Sequence, residues 1–163
     1  MRRTHHTILL VCEGDAEDQL ACFIRDLYLP RNCGTVLHRK NARGYGGART
    51  LELAIGLKGT TAYDEYGVMV DTDQHWGEAE RASAQQHGIV PIENHPCLEA
   101  MLLQVAGQKT RQLTQENKAA FEARFGSPAH RDGVIARHFT REMFDNARGR
   151  IASLGKLLSL IRC

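Results

Sequence analysis

Residues 7–14 read Thr7-Ile8-Leu9-Leu10-Val11-Cys12-Glu13-Gly14, an uninterrupted strand-forming run that stops on an acid and a glycine. A run with no polar alternation fits a strand buried on both faces, as in a parallel sheet. The pattern returns at Tyr66–Val70, and it again ends in acids, Asp71-Thr72-Asp73. Between the two runs, Leu20, Phe23, Ile24 and Leu27 fall at i, i+3, i+4 and i+7, one face of a helix that Pro30 and Asn32 end. A short second strand over Thr35–Lys40, a glycine-rich loop at Gly44–Gly47 and a helix marked by Leu51, Ala54 and Ile55 complete that interval. After the third strand, residues 76–87 suit a surface helix, and 88–92 suit a fourth strand in which Pro91 favours an edge or a strand end. Leu98, Met101, Leu102 and Val105 mark another helix, and residues 115–125 a further one. Alternating strands and helices predict an α/β fold: a Rossmann-like, mainly parallel four-stranded sheet with helices on both faces.

The chain has 163 residues, is 42% apolar and 25% charged, and has a net charge of +2. These values exclude wholesale disorder and collagen-like repeats, and the length buries a core without disulfide support. Five cysteines, odd in number and without a C-x-x-C pair, read as reduced thiols in a cytoplasmic protein. The basic opening, Met1 to Thr4, precedes an apolar run too short for a secretory signal, and no run approaches a membrane span. His5-His6 reads as a disordered start.

Residues 127–163 carry 7 basic and 3 acidic residues, a small excess that suits a solvated face or an anionic partner. Phe144, Ala147, Ile151, Leu154, Leu158 and Ile161 follow alternating spacings of three and four. That stripe predicts an amphipathic helical extension, packed on its own domain or paired in a homodimer. The expected division is therefore an α/β domain over 1–126 and a helical extension over 127–163.

In an open parallel sheet, ligands bind outside the carboxyl ends of the strands. If strands one and three are neighbours, Glu13, Asp71 and Asp73 meet in one cleft there. Carboxylates so crowded repel one another and their pKa values rise. A hard divalent cation removes that cost, and Mg²⁺ is normally held by one or two carboxylates plus substrate phosphates. The expected site is therefore one for Mg²⁺ or Mn²⁺ acting on a phosphate. The competing reading of a lone Asp-x-Asp is a solvated turn.

Val11-Cys12-Glu13-Gly14 and Val68-Met69-Val70-Asp71-Thr72-Asp73 together resemble a Toprim domain, the catalytic fold of topoisomerases, bacterial primases, OLD-type nucleases and small ribosomal-RNA maturases. More narrowly, residues 7–105 resemble the RloB family of small Toprim proteins from bacterial restriction and phage-defence loci. The acidic turn Glu17-Asp18, the loop Gly44–Gly47 and the segment Asn94-His95-Pro96-Cys97-Leu98-Glu99 match that family in kind. The last segment departs from the family's Asn-Pro-Cys-Phe-Glu by the inserted His95 and by Leu98 in place of the aromatic residue. The resemblance implies a metal-dependent nuclease acting on DNA or RNA. It gives Glu13 the role of general acid/base or metal ligand, and makes Asp71 and Asp73 ligands of Mg²⁺. It also implies a second metal held through Glu17 or Asp18, against which stands their reading as acids at a helix N-terminus. Two metals about 3.5–4 Å apart clamp the attacking and leaving oxygens of an in-line displacement.

Further candidates surround this set. Arg43, Gly46, Gly47 and Arg49 frame a loop that opens a helix, where backbone N–H groups and guanidinium groups favour a phosphate. Tyr45 suits stacking on a base. The competing reading of this loop is a flexible turn. His75 beside the acids is a substrate contact or a loop histidine, and Glu99 a site acid or a helix N-terminal one. Trp76 is expected to cap or pack on the cleft edge, and Cys97 to be structural. The alternatives to an enzyme are a Mg²⁺-binding receiver-like signalling module, or a non-catalytic subunit of a defence complex with an ATPase partner. A receiver needs paired acids ending strand one and a lysine ending the last strand, and the sequence shows neither.

Overall fold

The computed structural model describes residues 5–163; Met1 to Thr4, with the start of the expected 1–126 domain, lie outside the described residues. Four strands, β1 (His6–Cys12), β2 (Thr35–Asn41), β3 (Glu65–Asp71) and β4 (Val90–Asn94), form one sheet in the order β2-β1-β3-β4. All three pairings are parallel, with Cys12 opposite Met69 and Asp71 opposite Asn94. Strands one and three are adjacent, as expected, and Pro91 sits on an edge strand, where its missing N–H costs the ladder least. His6 is not a disordered start: it opens β1, with its imidazole 2.8 Å from the Glu65 carboxylate.

Period-two alternation distributes the strand side chains between two cores. Leu9, Val11, Val68 and Val70 face α2 (Gly47–Thr60) and α3 (Glu78–Gln86). Ile8, Leu10, Cys12, Met69 and Ile92 face the other way, into the larger core. That core is built by α1 (Asp15–Tyr28), α4 (Leu98–Val105), α5 (Thr114–Phe125), α6 (Val134–His138), α7 (Arg141–Ala147) and α8 (Ala152–Leu160). Each fully buried Leu or Ile there contributes roughly 1.5–3 kcal/mol.

The tail is not one helix. The stripe is broken between α7 and α8, around Gly149 and Arg150. All six stripe residues are nonetheless buried in the chain's own core, so the stripe offers no seam for a homodimer. The segment 127–163 thus shares the core of the sheet domain. α8 docks closely because Gly67 on β3 has no side chain: a Cβ there would lie 2.6 Å from Leu160 Cδ2. All five cysteines are free thiols, and among the described residues no helix is long and apolar enough to cross a membrane.

Candidate metal and phosphodiester site

The carboxyl edge of the sheet holds a cavity of about 400 Å³ whose walls include Glu13, Glu17, Asp71, Asp73 and Glu99. Each acid arrives by a different route. Glu13 follows β1 directly, and its backbone N–H still reaches Met69 O at 3.0 Å, so the sheet ladder fixes its position. Asp71 ends β3, on the face opposite Val70, and its Oδ1 accepts the Leu98 N–H at 2.9 Å, capping α4. Glu17 sits in the first turn of α1 and reaches back to accept the Gly14 N–H at 3.2 Å. Glu99 lies in the first turn of α4. Asp73 stands at the exposed mouth and accepts the Thr114 hydroxyl at 2.6 Å.

Glu13 and Asp71 are directly linked: Glu13 Oε2 accepts the Asp71 N–H at 2.8 Å. Glu17, Asp71 and Glu99 are only 5%, 8% and 6% exposed, so three acids share a space from which water is largely excluded. Burial raises the Glu13 carboxyl; the Asp71 N–H and, more weakly, Lys118 and His75 oppose that, while Asp73 adds to it. Burial, then Glu13 and Glu99, push Glu17 up to about 7. Asp71 is held well above the usual carboxylate range by burial, then by Glu17, Glu13, Glu99 and Asp73. Near neutrality the cluster therefore retains protons or takes up a cation.

Among the described residues, no three His, Cys, Asp or Glu side chains form a ready-made metal-ligand group. Glu13, Glu17, Asp71 and Asp73 each direct one oxygen to a protein donor, which orients the carboxylate, and Glu17 and Asp71 also hydrogen-bond each other. Hard oxygen donors of this kind suit Mg²⁺ or Mn²⁺.

The remaining candidates separate. Asp18 is corrected: it is not among the cleft-lining residues, and its Oδ1 is 2.5 Å from the Arg39 guanidinium. Only Glu17 of that pair faces the cleft, and it also serves as the helix N-terminal acid. The glycine loop is corrected in part. Gly47 and Ala48 donate their N–H groups to Gln74 O and His75 O, at 3.4 and 2.8 Å, so these donors at the α2 N-terminus are not free for a phosphate. Gly46 and Gly47 are there for close packing: a Cβ on either would lie 2.9 Å from His75 Cδ2 or Trp76 Cε3 respectively. His75 is exposed and covers Gly46; it is not among the residues lining the cleft. Arg43 and Arg49 line a neighbouring groove rather than the acidic cleft. Trp76 packs in the smaller core and donates to Glu93 at 2.5 Å. Burial pushes the Cys97 thiol up to about 12, the reverse of an activated nucleophile.

Sequence reading missed the far wall, formed by Thr114, Gln115, Lys118 and His130. The available signal was slight: Thr114 and Lys118 are one helical turn apart, on a helix whose buried face carries Asn117 and Phe121. Lys118 is the acids' counter-charge. Burial lowers its pKa, but Glu99, Asp71 and other nearby groups outweigh that and raise it.

No protein-family model, curated protein or solved structure matches this chain.

Proposed function

We propose that the chain is a metal-dependent phosphodiester hydrolase of Toprim type, a nuclease acting on DNA or RNA. The observation that carries this reading is the convergence of six carboxylates, three of them buried, with one lysine at the carboxyl edge of a parallel sheet; the sixth, Asp15, lies at the rim. Capping accounts for one oxygen each of Glu17 and Asp71 but not for the burial of Glu99 beside them, where the crowding raises the pKa values of Glu17 and Asp71. Asp71 and Asp73 would hold Mg²⁺ or Mn²⁺, with Glu17 and Glu99 on the inner side and Glu13 beside them as the base. A cation bound there neutralises the cluster and stabilises charge developing on a phosphoryl group. Glu13 Oε2 is held by the Asp71 N–H, which leaves Oε1 to take a proton from an attacking water. Lys118 faces the same cavity and attracts the phosphate that the acids alone would repel.

The test is incubation with plasmid DNA and with RNA in Mg²⁺, Mn²⁺ or EDTA, alongside calorimetric titration with each metal. Cleavage that stops in EDTA and in Asp71→Asn or Asp73→Asn is the expected result. A wild-type protein that takes up neither metal overturns the reading.

A further inference from the structure

Beside the acidic cleft lies a second cavity, of about 760 Å³, between the end of β2 and the outer face of α2. Its rim is basic, with Lys40, Arg43 and Arg49, and its walls include Leu53 and Leu57. Tyr45 lines it and is 73% exposed, the most exposed of the large apolar side chains among the described residues. The loop that carries Tyr45 is pinned on both sides. Arg43 N–H donates to Asn41 Oδ1 at 2.8 Å, Gly44 N–H to Glu13 O at 2.7 Å, and the Thr50 hydroxyl to Gly46 O at 2.9 Å. Gly44, between Arg43 and Tyr45, also lines the acidic cleft. One loop is therefore the shared wall of both cavities.

We propose that this groove binds a single strand of nucleic acid, with a base stacked on Tyr45 and phosphates on Lys40, Arg43 and Arg49, and leads that strand over Gly44 to Glu13. The inference rests on the reading of the acidic cleft as a phosphodiester site and adds the form of substrate it takes. A base in a duplex is already covered on both faces by its neighbours, so an aromatic ring held at a loop tip selects an unstacked one. The leucines supply an apolar surface that suits a base or sugar better than the outside of a duplex. Among the described residues Arg49 is held only by an exposed 3.1 Å pair with Glu52, a contact weak enough to yield to a phosphate.

Binding is measured in EDTA, by fluorescence anisotropy, with labelled oligothymidylate and oligouridylate of about 15 nucleotides, near the upper site size of a small domain. A duplex of equal length is the comparison. Either single strand should bind more tightly than the duplex. Tyr45→Ala should weaken single-strand binding by about 5- to 100-fold, as loss of one base stack predicts, while Tyr45→Phe retains it. Arg43→Ala should lower the slope of affinity against salt by about one phosphate. Equal affinity for duplex and single strand overturns the proposal, as does a Tyr45→Ala variant that binds as wild type. Tyr45 is on the surface, so its variants keep the fold. Because EDTA removes metal chemistry, failure here leaves metal-dependent cleavage standing, and intact binding without cleavage sinks only the nuclease reading.

Discussion

The acidic cleft and the basic groove share the Gly44 wall but are built on opposite principles. In the cleft, Glu17, Asp71 and Glu99 are almost wholly buried, and Glu13, Glu17 and Asp71 each accept a backbone N–H. In the groove, Lys40, Arg43, Tyr45 and Arg49 are all exposed, and Arg49 pairs weakly with the exposed Glu52. Burial makes charge expensive and position exact to a fraction of an ångström, which suits chemistry. Exposure makes charge cheap and position adaptable, which suits attraction of a flexible polyanion. On the proposed function, turnover would belong to the cleft and capture to the groove, and substitutions can separate the two.

The largest effect is expected at Glu13. Glu13→Gln keeps the size and an oxygen for the Asp71 N–H, but removes the charge and the basicity. On a substrate that wild type cleaves with Mg²⁺, the rate should fall by about 10²-fold or more. Binding of a single strand in EDTA should hold, because the groove is untouched. Undiminished turnover would end the division of labour. Loss of binding in parallel with turnover would show that the two cavities act as one.

The next effect concerns stability and pH. Glu17 has a folded-state pKa of about 7 against an ordinary value of 4.5, so between these limits the folded protein holds a proton the unfolded chain has lost. Its contribution is therefore fully present below about pH 4.5 and is lost as pH rises through 7. Metal-free Glu17→Gln should be more stable than wild type at pH 8, by about 2–3 kcal/mol, and should lose this part of the pH slope. Denaturant unfolding across pH 5–8 reads both quantities. A destabilised variant with an unchanged slope would mean that Glu17 matters for its Gly14 contact rather than for crowding. Divalent cations should flatten the wild-type slope by the same argument, since they replace the proton as the neutralising charge.

What the sequence made legible follows the same boundary. Strand-end acids could be read because strand periodicity fixes which chain segment reaches the carboxyl edge, and adjacency of β1 and β3 then brings Glu13 to Asp71. Lys118 and Thr114 could not, because nothing local places α5 across the cleft mouth; its packing against α4 does. The tail stripe revealed which residues are buried but not the break between α7 and α8, since two short helices can bury the same spacing as one. The glycine loop misled for a related reason. Flexibility near a helix N-terminus suggested phosphate, whereas its N–H groups were already taken by Gln74 and His75.

That last point predicts a smaller effect. In Gly47→Ala the new methyl group would lie 2.9 Å from Trp76 Cε3 and 3.3 Å from His75 O. Trp76 is buried and tied to Glu93, so it has little room to yield. The expected loss is about 2 kcal/mol in denaturant unfolding, typical of overpacking. Single-strand affinity of the folded variant should be unchanged. A variant of full stability that has lost that affinity would return the glycines to a role in binding.

The smallest effect is expected at Asp18, and it tests where the cleft ends. Asp18 lies one residue beyond Glu17 on α1, where the 100° turn of a helix carries it away from the cavity. There it meets Arg39, which also donates to the Asp18 carbonyl at 3.1 Å. Asp18→Asn keeps an acceptor for the guanidinium and loses only the charge, on a pair with side chains 23% and 28% exposed. The cost should be about 1 kcal/mol or less. Divalent-cation affinity by calorimetry should stay at the wild-type value. Asp71→Asn keeps the cap on Leu98 through its amide oxygen, yet should lose at least about tenfold, since even residues that only support metal ligands cost that much. If Asp18→Asn weakens the metal as Asp71→Asn does, Arg39 must release its partner when the cation binds. The cleft would then extend past Glu17 along the face of β2 that carries Arg39, the face opposite Lys40 and the groove.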